Sequence, residues 1–282
     1  MGGGGSGARL FGSAPVARSS LLLWSVAAAA LNAFAGIGIR TWTERGPAYA
    51  ILELFGISAI AWIAIAAALA LLATAEDEGQ APNGMDWGVA ALVALLSVLP
   101  VGTVGSGALT FLALYVIATS ARGSSASRAG IICLAVTGTL LWGRVLLALF
   151  SRPLLDIDAW LVGSLFGTHQ VGNLISFTDG SGRVIVAPGC SSWQGMSLAI
   201  LFWATVNQWY RVAFDRRAVA TCLLGLAATV AVNVLRIGAM IEFPRHLADI
   251  HHGYGWHLFV WASLIAVGAI CFIGARREIL YL

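Results

Sequence analysis

"TCLLGLAATVAVNVLRIGAMI", residues 221–241, holds a single charged side chain, Arg236, in an otherwise apolar run. At helical rise a stretch of this length reaches roughly 30 Å, the depth of a bilayer's hydrocarbon core. The rest of the chain has the same character. Of its 282 residues 59% are hydrophobic and only 10% are charged, a composition outside the range of soluble domains. The sequence therefore predicts an all-α polytopic membrane protein.

Working outward from residues 221–241, apolar runs of bilayer length predict about eight transmembrane helices, at 20–39, 50–74, 87–102, 105–121, 129–150, 190–209, 218–241 and 255–274. The third is short and interrupted by Pro100 and Gly102. A rival reading makes the first run a signal peptide cleaved near "NAFAG" (32–36), but its apolar character continues to Ile39. The start, "MGGGGSGARLFGSAPVARSS", is Gly/Ser-rich. Residues 1–19 are expected to be disordered, as a possible linker, and 20–282 to form one transmembrane domain.

All 16 basic residues are arginines, scattered singly or in pairs, and no basic patch interleaved with aromatics supports nucleic-acid binding. Their placement instead sets orientation. With the N-terminus inside, Arg9, Arg18, Arg122, Arg128, Arg211, Arg216, Arg217, Arg276 and Arg277 are cytoplasmic, against Arg40, Arg45, Arg152, Arg183 and Arg245 outside. The acidic loop "EDEGQAPNGMD" (76–86) then also lies inside, but acidic residues weigh little in this rule. Arg144 and Arg236 fall within spans.

The long connection 151–189 is outside in this topology. Its first part, "LLDIDAWLVGSLFG" (154–167), reads as a short amphipathic, interfacial helix. Its second, "GNLISFTDGSGRVIVAPG" (172–189), reads as a small extracytoplasmic β-hairpin about an Asp-Gly turn. This hairpin delivers the chain to Cys190, at a strand-to-helix junction.

Cys190 is the one cysteine placed at the outer face; Cys133, Cys222 and Cys271 fall toward inner ends of spans, where they serve as small apolar packing. A helix N-terminus offers unpaired N–H groups and a dipole, which favour thiolate over thiol. Gln194 and Ser197 continue a polar stripe from Cys190, and Thr229, Asn233 and Arg236 form another on residues 221–241. Polar glue between helices explains Gln194 and Ser197 about as well, and the bland reading of Arg236 is snorkelling to the outer headgroups. Arg236 shares depth and side with Cys190, where a guanidinium can favour a thiolate or donate to an oxyanion. The connection "EFPRHLADIHHGYGWH" (242–257) adds His246, His251, His252 and His257, each able to exchange protons with a thiol. No HExxH spacing is present, so neither a metal nor another cofactor is expected.

"PGCSSWQGM" (188–196), "NVLRI" (233–237) and "HHGYGWHLF" (251–259), in that order, resemble the exosortase and archaeosortase family of membrane cysteine transpeptidases. The resemblance covers 150–274, the expected catalytic part, and implies Cys190, Arg236 and His251 as catalytic residues, on the exosortase side of the family. It departs from the family at Ser192, where a glycine is usual. The implied substrate is the C-terminal sorting tail of exported proteins, a PEP-CTERM-like signature motif, a transmembrane helix and a basic tail. The implied setting is the inner (cytoplasmic) membrane with the site facing outward, and the cleaved chain passes to an unidentified acceptor or to water. Glu53 and Arg144 are expected to pair along the substrate cavity, with Gln194 and Asn233 lining it. The alternative is a transporter or channel in which Arg144 and Arg236 line an anion path, with Glu53 as a possible partner; a third is a purely structural membrane partner.

Overall fold

The computed structural model describes residues 16–75, 80–99 and 101–280. Most of the Gly/Ser-rich start, the acidic residues 76–79 and Pro100 lie outside the described residues. In chain order the helices are α1 (Arg18–Arg45), α2 (Pro47–Leu52), α3 (Ala59–Ala73), α4 (Gly84–Val98), α5 (Gly102–Thr119), α6 (Ser125–Thr137), α7 (Gly143–Leu149), α8 (Ser151–Phe166), α9 (Ser192–Trp209), α10 (Arg216–Glu242), α11 (Leu247–His252) and α12 (Tyr254–Leu280). Strands β1 (Gln170–Val171), β2 (Leu174–Ser176) and β3 (Arg183–Ile185) lie between α8 and α9 and form an antiparallel sheet in the order β1-β2-β3.

Among the described residues five segments are long and apolar enough to cross a membrane: α1, α5, α6 through α7, α10 and α12. Helices α3 and α4 are apolar but shorter. The exposed side chains agree with an apolar solvent, because α10 and α12 turn Leu223, Leu224, Leu235, Leu258, Trp261, Ile265 and Phe272 outward. The chain is thus an all-α membrane protein carrying one small sheet.

Helix α1 begins at Arg18, not at residue 20, because Arg18 is anchored. Its Nε donates to Asp86 Oδ1 at 2.9 Å and its Nη2 to Thr119 Oγ1 at 2.6 Å. Asp86 also accepts from the Tyr115 hydroxyl and completes a capping box with Asn83 at the start of α4. One buried ion pair thereby fastens the same end of α1, α4 and α5, and residues 18 and 19 belong to the folded domain.

The run 50–74, expected as one helix, is broken. Leu54, Phe55 and Gly56 all have positive φ, at 50°, 61° and 71°, which an α-helix of L-residues does not accommodate. Gly56 also packs so closely on Thr41 of α1 that a Cβ there would collide with its hydroxyl. Hydropathy is blind to this break, since both sides of it are apolar.

Between α6 and α7 the backbone makes a π turn, Gly138–Trp142. An inserted π turn advances the register of everything beyond it. The Gly143 face of α7 meets α9, where Trp193 Nε1 donates to the Gly143 carbonyl at 2.8 Å. Arg144, the next residue around the helix, is exposed.

The core around residues 150–274 joins α8, the sheet and α10. Leu155, Ala159 and Val162 of α8, Ile175 and Val186, and Val234, Ile237 and Ile241 of α10 pack together with Cys190. Helix α9 packs against α10, α12, α6 and α3. Gly195 lets α9 approach α10 closely, because a Cβ there would meet the Thr229 methyl at 2.7 Å.

Candidate active site

Cys190 ends a short 3-10 turn, Pro188–Cys190, and Ser191 caps α9 by accepting from Trp193 N–H at 3.2 Å. The turn is short because Pro188 fixes φ and the Cys190 N–H closes onto the Ala187 carbonyl at 2.8 Å. Cys190 is 5% exposed.

Three elements hold this residue. From α10, Asn233 Nδ2 donates to the Cys190 carbonyl at 2.9 Å and Arg236 Nη2 donates to the same oxygen at 3.3 Å. From α11, His251 Nε2 lies 2.8 Å from Sγ. From α8, Asp158 accepts from both residues that follow the cysteine, Ser191 and Ser192. Arg236 is 9% exposed, and its Nε has no hydrogen-bond partner among the described residues.

The proton on the thiol settles the histidine's tautomer. When S–H donates to Nε2, the ring proton sits on Nδ1, and Nδ1–H donates to His252 Nε2 at 2.6 Å. Burial pushes the Cys190 thiol up, and the nearby Asp158 charge adds to this, while the Arg236 charge opposes it. Burial also pushes His251 down, as do His252 and Arg236. The resting pair is a neutral thiol and a neutral imidazole. The thiolate favoured by a bare helix N-terminus gives way here to desolvation.

The N-terminus of α9 is moreover not bare. Cys190 N–H donates to Ala187, Ser191 N–H to Pro188 at 3.3 Å, Ser192 N–H to Asp158 at 3.0 Å and Trp193 N–H to Ser191 Oγ. The amides of these four residues are therefore engaged. Arg236 Nε has no hydrogen-bond partner among the described residues, so this buried guanidinium keeps an uncommitted N–H.

A cavity of about 550 Å³ opens beside the cysteine. Gly189, Ser191 and Ser192 form its wall on either side of Cys190, and Arg236 and Asn233 face into it from α10. Cys190 and His251 are not among its lining residues, although both neighbours of Cys190 are, and His257 and Trp256 line it from α12.

Of the residues singled out in the sequence, Cys190, Arg236, Asn233 and His251 come together. Gln194 and Glu53 line the cavity, as does Thr229. Ser197 turns back onto its own helix, donating to the Gln194 carbonyl at 2.8 Å. Arg144, exposed on α7, is not among the residues lining the cavity, and no ion pair joins it to Glu53 among the described residues. Among the described residues the one ion pair is Arg18–Asp86. Among the described residues, too, no group of three His, Cys, Asp or Glu side chains could hold a metal ion.

Sequence reasoning missed Asp158. A signal for it exists, because Leu155, Asp158, Ala159 and Val162 share the helical spacing of one inward face, and a carboxylate on such a face needs partners. It also missed that His252 stands behind His251. No family model matches the chain, and neither a curated protein nor a solved structure matches it.

Proposed function

We propose that the chain is a membrane-embedded cysteine transpeptidase or protease of exosortase type, which removes the C-terminal sorting tail of exported proteins. The observation that carries this reading is the 2.8 Å approach of His251 Nε2 to Cys190 Sγ on a cysteine that Arg236 and Asn233 also grip. A thiol serving only as packing needs neither an imidazole nor a guanidinium.

The chemistry runs through the chain's own groups. As Sγ attacks the scissile carbonyl, its proton passes to His251 Nε2, and His252 accepts the Nδ1–H that keeps the ring aligned. The new S–C bond leaves a negative oxygen. Arg236 Nε–H donates to that oxygen, with Nη2 held on the Cys190 carbonyl so that the planar fork is fixed in direction. The C–N bond then breaks, His251 returns its proton to the leaving amine, and a thioester remains on Cys190. An acceptor nucleophile, or water, gives up its proton to His251, attacks the thioester and frees the thiol.

In this reading all eight apolar runs cross the inner membrane, with the N-terminus inside and the Cys190 turn, the small sheet and α11 outside. Helix α8 lies along the interface, with Ile157, Trp160 and Leu165 exposed toward lipid. Glu53, Gln194 and Asn233 contact the substrate tail in the cavity.

Co-expression with a reporter ending in a PEP-CTERM-like motif, a transmembrane helix and an arginine-rich tail tests the reading. Loss of the tail only when this chain is present supports it; an intact reporter, across motifs of this type, contradicts it.

A further inference from the structure

Ser192 stands where the resembling family carries glycine, and the backbone does not require glycine there. Ser192 is the first residue of α9, and its φ is not positive. Its hydroxyl has a definite task. It donates to Asp158 Oδ1 at 2.6 Å, while Asp158 Oδ2 accepts from the Ser191 hydroxyl at 2.7 Å and from the Ser192 N–H at 3.0 Å. Asp158 is 2% exposed, and every hydrogen bond its side chain makes goes to the two residues after the cysteine. A buried carboxylate without such donors is costly, so the three bonds and the carboxylate require one another.

We propose that Asp158 is the positioning residue of the catalytic turn, locking Ser191 and Ser192 from α8 so that Cys190 presents Sγ to His251 and its carbonyl to Asn233 and Arg236. This rests on the reading of Cys190 as the nucleophile. Two consequences follow from the geometry. First, Asp158 occupies the Ser192 amide, which is then not free to donate to the attacked carbonyl. Second, its charge stands near both Cys190 and Arg236. It thereby helps keep the resting thiol protonated until His251 accepts the proton during attack. The charged or titratable groups around the thiol are Asp158 from α8, Arg236 from α10, and His251, backed by His252, from α11.

The role separates from simple structural support by a split readout. In the full chain in native membranes, alkylation of Cys190 by iodoacetamide is followed against pH by peptide mass spectrometry, alongside cleavage of the tail reporter. Asp158→Asn removes a negative charge from beside the thiol, so the alkylation midpoint moves to lower pH and labelling at neutral pH rises several-fold. Cleavage falls all the same, by about 10- to 100-fold, the scale set by misplacing a reacting group by a fraction of an ångström to an ångström. Ser192→Ala, which keeps the carboxylate and the amide bond, loses several-fold in cleavage with little change in the midpoint.

An unchanged alkylation midpoint in Asp158→Asn overturns the proposal, as does wild-type cleavage in that variant. If Asp158→Asn fails to accumulate in membranes, Ser192→Ala decides, and unaltered cleavage there overturns it. Failure of the underlying reading looks different: Cys190→Ala then continues to cleave, whatever Asp158 does.

Discussion

Arg236→Lys keeps the positive charge on α10 and alters only its shape. In the structure the guanidinium divides its donors, with Nη2 on the Cys190 carbonyl at 3.3 Å and Nε unpartnered. The ammonium of lysine is a point donor on a flexible stem and cannot hold both directions at once. The Cys190 carbonyl loses little by the change, since Asn233 still donates to it at 2.9 Å. The loss therefore falls on the oxyanion. Because the amides of Cys190, Ser191, Ser192 and Trp193 are all engaged, none of these four substitutes for the missing donor. Removing one such donor costs roughly 10²- to 10³-fold in turnover, or about 2.7–4 kcal/mol of transition-state stabilisation. Arg236→Lys should accordingly lose about 10²-fold in the rate of tail cleavage and approach Arg236→Ala. The assay is a time course of reporter cleavage in membranes containing equal amounts of each variant, checked by immunoblot. Cleavage by the lysine variant within a few-fold of wild type refutes the reasoning, since bulk positive charge would then suffice.

Three further outcomes are expected. His251→Ala abolishes measurable cleavage, whereas His252→Ala, which removes only the acceptor behind Nδ1, loses no more than about tenfold, as judged with one reporter; equal loss in both would mean that the pair acts as one unit. Because His251 must be neutral to accept the proton and lies below its ordinary value through burial, His252 and Arg236, cleavage should rise with pH through a midpoint on the acid side of the ordinary histidine range and be complete at neutrality. A pH profile still climbing above neutrality contradicts that assignment. Arg144→Leu should leave both cleavage and abundance near wild type, because the side chain lies outside the cavity lining.

The runs read from hydropathy correspond to helices because burying a polar backbone in lipid leaves the helix as the one local solution, so apolar length alone reveals it. The same signal could not reveal the break at Leu54–Gly56, which comes from backbone conformation and from contact with Thr41 of α1, a neighbour distant in sequence. Nor could it reveal the π turn at Gly138–Trp142, just before the exposed Arg144. Cys190, Arg236 and His251 could be singled out because each sits in a short motif near an end of its segment. Asp158 was hidden in a different way. Its partners are 33 and 34 residues away across a sheet whose path is set by packing, and its chemistry appears only when Ser191 and Ser192 are seen folded onto it.

The central claim is that Cys190 is the nucleophile, and substitution of that one atom tests it most directly. Cys190→Ser keeps the residue's shape and its carbonyl contacts to Asn233 and Arg236, replacing the thiol with a much weaker nucleophile at His251. Reporter tail cleavage should fall to background in Cys190→Ser membranes while the protein inserts at wild-type abundance. Cleavage at a substantial fraction of the wild-type rate would contradict the account.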